Sequence, residues 1–252
     1  MTAASLLAFD TATERMSIAL VTPRGVRLHD SDGGARASAT LIPALLALLA
    51  LHGIALRQLD AIAFGRGPGA FTGLRTTCAV AQGLAFGANL PVLAIDSLAI
   101  VAEDARAQGA GDDVWVAMDA RMGEVYAAHY RCASDSDGMR WRTLAAPALY
   151  ALEAIVAQWR QAPPRCVAGS ALAAFGARLL DDGAAAQRVA AECSRAQALA
   201  TLALAAWRDG PRLDAADALP LYLRDKVAST TAEREAVKRA KAAGDTTTPL
   251  PR

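Results

Sequence analysis

The sequence predicts an α/β fold of two related lobes, each a mixed β-sheet flanked by helices. Three observations carry this. Strand-like and helix-like runs follow one another as β-β-β-α-β-α-β-α as far as Ala107. After Gly109-Ala110-Gly111-Asp112-Asp113 the pattern restarts, and the first new strand ends at Asp119 as the first strand of the chain ends at Asp10. Between an apolar run and a helix-like run lies Gly65-Arg66-Gly67-Pro68-Gly69-Ala70-Phe71-Thr72-Gly73-Leu74-Arg75, a glycine-rich strand-to-helix turn.

In the first half, Leu6 to Phe9 reads as a strand, Thr11 to Glu14 as a tight link, and Met16 to Val21 as a second strand. Pro23-Arg24-Gly25 is a turn, and Val26 to His29 pairs as a third strand in an antiparallel meander. The next segment is helical, with Ser38 or Thr40 as its cap, Pro43 in its first turn and Gly53 as its end. Strand 61–65, helix 72–86, strand 92–95 and helix 97–107 follow. In the glycine-rich turn, Gly67, Gly69 and Gly73 permit close backbone approach. Pro68 stiffens the turn, Phe71 lies just beyond the bend, and Thr72 can cap the following helix. Backbone N–H groups at such a helix start can bind anions, but no Gly-Lys-Ser/Thr follows, so this is not a P-loop.

The second half is a shortened echo, read as an internal duplication. Strands are expected at 114–118 and 124–130, a further one near Trp141, a helix over 149–159 after Pro147, a strand at 165–168, and a helix opened by Gly169-Ser170. Ser194 caps a last helix that stops at Asp209-Gly210-Pro211. The domain boundaries expected are 1–108 plus 195–228 for the first lobe and 109–194 for the second. From Ser229 onward large apolar side chains almost vanish, predicting a flexible charged tail over 229–252.

With 252 residues, 54% of them apolar, the chain can build a sizeable core. A net charge of +1 argues against an autonomous nucleic-acid binder. Cys78, Cys132, Cys166 and Cys193 are scattered singly, which suits a reducing cytoplasm and no zinc site. The start lacks a basic, apolar leader pattern, and the longest uncharged apolar run, Leu41 to Leu51, is too short for a membrane span. A soluble cytoplasmic protein is expected.

Two helices lack a polar face. Leu41 to Leu51 carries no charge, and from Thr76 to Ala88 the strongly polar side chain is Gln82. Burying both within one small lobe is difficult, because a small domain has much surface for its volume. A subunit interface using Leu41, Leu45, Leu48, Leu49, Cys78 and Gln82 is therefore expected.

Leu7-Ala8-Phe9-Asp10-Thr11-Ala12-Thr13, then Gly67-Pro68-Gly69-Ala70-Phe71-Thr72-Gly73-Leu74-Arg75, then Asp119-Ala120-Arg121-Met122-Gly123-Glu124-Val125-Tyr126 resemble the bacterial TsaB (YeaZ) family in order and spacing up to about Lys226. The resemblance implies the actin/Hsp70-like fold. It implies a part in the threonylcarbamoyl modification of adenosine 37 in tRNA, as a non-catalytic scaffold that dimerises with the paralogous transferase TsaD, with TsaE as the ATPase. Isolated, the chain would form a homodimer, and it would meet tRNA only through the complex.

Nucleotide chemistry is the open point. Actin-like ATPases hold phosphates between two hairpin turns. Here Asp10-Thr11-Ala12-Thr13 has no glycine, and Arg121 and Met122 crowd Gly123 in the other turn. Asp10 and Asp119 could bind Mg²⁺ through water or simply cap turns. Thr11 and Thr13 could bond ligand oxygens or their own turn. Asp10, Thr11, Asp119 and Gly123 would thus form a vestigial nucleotide site. Arg75 could pair with a partner's carboxylate or with a neighbour. His29, His52 and His129 include no pair four apart, so no helical two-histidine metal site is expected, and His52 suits a helix end. No catalytic residue, cofactor or metal is assigned. The competing expectation is an enzyme of the same superfold, a small-molecule kinase or a metallopeptidase.

Overall fold

The computed structural model describes residues 4–135 and 138–224. The first sheet has the order β3-β2-β1-β4-β5, built from β1 (Leu6–Asp10), β2 (Arg15–Thr22), β3 (Gly25–Asp32), β4 (Ala61–Gly67) and β5 (Val92–Asp96). Helices α1 (Ala37–Leu51), α2 (Phe71–Ala88) and α3 (Ser97–Ala107) connect or follow these strands. The second sheet has the order β10-β9-β6-β7-β8: β6 (Asp113–Asp119), β7 (Glu124–Asp135), β8 (Gly138–Ala151), β9 (Cys166–Ala168) and β10 (Gln187–Val189). Its helices are α4 (Leu152–Gln161) and α5 (Ala171–Phe175); α6 (Arg195–Asp209) follows. In each sheet the first strand pairs antiparallel with the second and parallel with a later one: β1 with β2 and β4, β6 with β7 and β9. That shared topology is the duplicated actin-like arrangement.

β1 explains the layering. It is a continuous apolar run because both of its faces are covered. Leu7 and Phe9 join Ile18, Leu20, Ile62 and Phe64 under α1 and α2. Leu6 and Ala8 join Ala19, Ala61, Ala63 and Leu93 under α6. α6 packs on α3, and α3 covers Val114, Val116, Ala128 and Tyr130 of the second sheet. The far face of that sheet holds Trp115, Ala117, Val125 and Val167 against α4 and α5. The α3–α6 pair is thus the layer shared by the two sheets.

Several local expectations need correction. Ser38 and Thr40 lie inside α1, which continues from a short 3-10 turn at 34–36, so neither caps it. Thr40 Oγ1 instead donates to the Arg36 carbonyl, 3.0 Å away. Pro43 sits in mid-helix on the exposed side. Thr72 is within the first turn of α2, whose cap position is Ala70; the helix runs two residues past the expected end at Phe86 and closes at Asn89, with φ 54°. Leu149 to Ala151 belong to β8 rather than to a helix, and Pro147 is tolerated there because β8 is an edge strand. The Ser194 side chain does not cap α6. Asp104, reaching across from α3, accepts from the Ser194 and Cys193 N–H groups at 2.7 and 2.9 Å. β10 has no counterpart in the sequence expectations. The helical stretch Gly34–Leu51 is, among the described residues, long and apolar enough to cross a membrane, a length that the run from Leu41 alone understated; here it packs on the first sheet. The tail expected from Ser229 lies outside the described residues.

Two glycines of α2 test this packing. A Cβ on Gly73 would sit 1.8 Å from the Thr11 carbonyl oxygen, a backbone atom that cannot swing away, whereas a Cβ on Gly83 would meet nothing within 4 Å. Gly73→Ala is expected to destabilise by about 3 kcal/mol or more through backbone displacement. Gly83→Ala is expected to stabilise by about 0.5–1 kcal/mol through helix propensity. Urea unfolding of both variants checks the contrast.

Candidate functional site

The glycine-rich turn lies directly on the link after β1. The Ala70 N–H donates to the Ala12 carbonyl at 2.8 Å. A Cβ on Gly69 would be 2.4 Å from that same carbonyl, and one on Gly65 would be 1.6 Å from Asp10 Oδ2. Thr11 Oγ1 donates to the Gly73 carbonyl at 2.8 Å and lies 2.7 Å from Thr77 Oγ1, which accepts from the Thr11 N–H at 3.1 Å. Gly67, with φ 106°, precedes Pro68 through a cis peptide bond, and its N–H donates to Ser97 Oγ. The glycines are therefore required by self-contact: α2 starts against residues 10–12 with no space for a phosphate between them.

Asp10 is fully buried and ligated throughout. Its Oδ1 accepts from the Ala12 N–H at 2.8 Å and from Arg195 Nε and Nη2 at 3.3 and 3.2 Å; its Oδ2 accepts from Ser97 Oγ at 2.7 Å. Arg195 is itself 2% exposed, and its Nη1 donates to Glu192 at 2.7 Å. Burial alone would lower the Arg195 pKa, but Glu192 and Asp10 outweigh it and raise it. This corrects the nucleotide assignment of Asp10 and Thr11: both are sealed inside the lobe by their own partners. Actin-like architecture implies a metal-bound nucleotide at this strand end, and the residues present do not fit one.

The corresponding turn of the second lobe differs. Asp119 Oδ1 accepts from the Arg121 N–H at 2.8 Å, and the Arg121 side chain reaches its Oδ2 at 3.3 Å. Arg121, Met122 and Gly123 have φ of 65°, 57° and 76°, so Gly123 serves the hairpin's left-handed backbone. Arg121 also lies 4.0 Å from Glu14 on the first lobe's hairpin, an exposed pair of small energetic weight. The segment after α6 ties the two turns together. Leu221 N–H donates to the Arg66 carbonyl, Tyr222 OH accepts from Arg75 Nε at 3.0 Å, and Arg224 donates to the Ala120 carbonyl at 3.0 Å and pairs with Glu124. Arg75 thus has a neighbour in the chain, and it stacks over Phe71 at 3.8 Å.

The interface expectation holds a further correction. Leu41, Leu45, Leu49 and Cys78 are at most 4% exposed and face the first sheet, as the i, i+4 spacing of an inward stripe requires. Leu48 is half-buried, and Gln82 is held by the Ala216 carbonyl at 3.2 Å. The outward residues of the same two helices are also apolar: Ile42, Leu46 and Leu51 are 43%, 49% and 77% exposed, and Phe86 is 85% exposed. α1 and α2 touch, so these side chains share one side of the lobe with the exposed Ala47, Ala50, Ala79 and Gly83.

His129 and the three buried cysteines are engaged within the fold. His129 Nε2 lies 2.6 Å from Asp113 Oδ1, and its ring stacks on Trp115. Burial acts to raise the Asp113 pKa, but hydrogen bonds from His129 and Arg131 win and lower it. His52 closes α1, and among the described residues no group of three His, Cys, Asp or Glu could hold a metal ion. Burial, aided by Asp10, pushes the Cys78 thiol up to about 12; burial likewise pushes Cys132 and Cys166 up to about 11.

Residues 27–231 match the family model of TsaD, tRNA N6-adenosine threonylcarbamoyltransferase. The tRNA threonylcarbamoyladenosine biosynthesis protein TsaB of Haemophilus influenzae is 46% identical over 123 residues, 48% of this chain and 52% of that protein. TsaB of Escherichia coli is 40% identical over 126 residues, 50% of this chain and 54% of that protein. The chain spans about half the length of these curated relatives. Among solved structures, YeaZ from Pseudomonas aeruginosa is 36% identical and has a TM-score of 0.75, with 87% of this chain and all of that chain covered. A second P. aeruginosa structure, described as similar to peptidase YEAZ, is 37% identical, has a TM-score of 0.76 and covers 88% of this chain and all of its own.

In the native chain at pH 8, a thiol-alkylating reagent is expected to label Cys193, which is exposed, and to spare the other three until the chain unfolds. Peptide mass spectrometry with and without denaturant checks this.

Proposed function

Because the chain belongs to the TsaB (YeaZ) family, we propose that it serves tRNA threonylcarbamoyladenosine biosynthesis as a non-catalytic subunit that binds and activates the TsaD transferase. The observation that carries this reading is the exposed apolar side of α1 and α2. Ile42, Leu46, Leu51 and Phe86 gain from being covered, at roughly 25 cal/mol for each Å² of apolar area removed from water. In this scheme a lobe of TsaD covers that side, and a second copy of this chain covers it when TsaD is absent. TsaE supplies ATP hydrolysis in this scheme, and tRNA is met through the assembled complex in the cytoplasm. The filled turn at Asp10 favours a scaffold over a kinase, and the described residues offer no cluster of His, Cys, Asp or Glu suited to a metallopeptidase.

The test is capture of TsaD from the native cell by tagged protein. Leu46→Glu with Phe86→Glu places two carboxylates where apolar contact is needed. Capture is expected to fall at least about tenfold, since burying an unpaired charge is costly. The melting temperature should change by no more than about 2 °C, because both sites are exposed. Undiminished capture by the double variant, or threonylcarbamoyl transfer by the purified chain alone, would contradict the proposal.

A further inference from the structure

Arg195 occupies a position that local rules disfavour. It is the first residue of the fifteen-residue α6, and α6 has no acidic residue in its first turn. The helix dipole opposes a cation there, and burial at 2% exposure removes most of its hydration. Three groups hold it in place: Asp10 Oδ1, Glu192 Oε2 and, at 3.4 Å, the Ser97 carbonyl. All are acceptors, and they converge at the carboxyl end of β1, where open α/β sheets receive their ligands. In the second lobe the corresponding Asp119 is 18% exposed and is met by Arg121, whose side chain is 76% exposed, rather than by a buried cation.

We propose that the pocket formed by Asp10, Glu192 and the Ser97 carbonyl is a cation site filled from within by the Arg195 guanidinium, so that this lobe closes without metal or nucleotide. Arg195 is a positioning residue: it holds Asp10, and through Asp10 the link at Ala12 on which the glycine-rich turn rests. Removing the side chain leaves the buried Asp10 carboxylate and the partly exposed Glu192 carboxylate facing a space of guanidinium shape. That space should accept free guanidinium, an organic monocation with planar donors, and the inference stands whether or not the chain binds TsaD.

The experiment is thermal unfolding of the full chain and Arg195→Gly, with guanidinium chloride as probe and sodium chloride at equal ionic strength as control. Arg195→Gly should melt below the parent. About 10 mM guanidinium should raise its melting temperature by about 3 °C, as expected for a ligand that binds only the folded state, while the parent shows no rise. Adding Asp10→Asn to the Gly variant should abolish the rise. An equal response of parent and variant, or a rise that survives Asp10→Asn, would overturn the proposal. If Arg195→Gly does not fold, Arg195→Lys against Arg195→Met decides: the Lys chain should melt higher, and a Met chain equal or better would show that charge at this point is not needed.

Discussion

The fold depends on the contact between the first two turns of α2 and residues 10–12. Four hydrogen bonds knit it: Ala70 N–H to the Ala12 carbonyl, Thr11 Oγ1 to the Gly73 carbonyl, Thr11 N–H to Thr77 Oγ1, and Thr77 Oγ1 to Thr11 Oγ1. The backbones approach so closely that Gly65, Gly69 and Gly73 leave no room for a Cβ. A glycine-rich strand-to-helix turn is elsewhere a phosphate cradle. Here the chain itself occupies the concavity, and the buried Asp10–Arg195 pair holds the end of β1 against it. A buried ion pair is weak evidence for stability on its own, because desolvation offsets much of its attraction. Its consequence lies in fixing one arrangement of β1, α2, α3 and α6.

From that contact the layers follow. β1 is covered on both faces, so α1 and α2 lie on one side of the sheet and α6 on the other. α6 then meets α3, and α3 meets the second sheet. The outer faces of α1 and α2 are left as the apolar exterior of the first lobe. Their backs anchor the sheet through Leu41, Leu45, Leu49 and Cys78, which gives the exposed Leu46 and Phe86 a rigid base. Rigid presentation lowers the ordering cost of association.

Much of the architecture was legible in the sequence, because strand and helix periods and the Asp10 and Asp119 strand ends repeat. The site was less so. In a helix with no polar residue, periodicity cannot say which leucines face inward, and Leu41, Leu45 and Leu49, expected at the interface, face the sheet instead. The cap of α6 comes from Asp104, some ninety residues earlier, where no local signature exists. Pro147 suggested a helix start because an edge strand tolerates proline equally well. Arg195 was missed although a signal was present: Glu192-Cys193-Ser194-Arg195 puts an arginine at the first position of a capped helix, against the dipole, and a broken local rule often marks a special site.

Amide hydrogen exchange tests most directly the claim that the β1 turn is closed upon itself while the outer faces of α1 and α2 are the working surface. In the free chain, amides 10–12 and 70–77 should exchange as slowly as the core strands, and Mg²⁺ with ATP should not change them. Adding TsaD should slow exchange at the open ends of α1 and α2, around Leu51 and Phe86. Fast exchange at 70–74 that slows on addition of Mg²⁺ and ATP, with α1 and α2 indifferent to TsaD, would contradict the account.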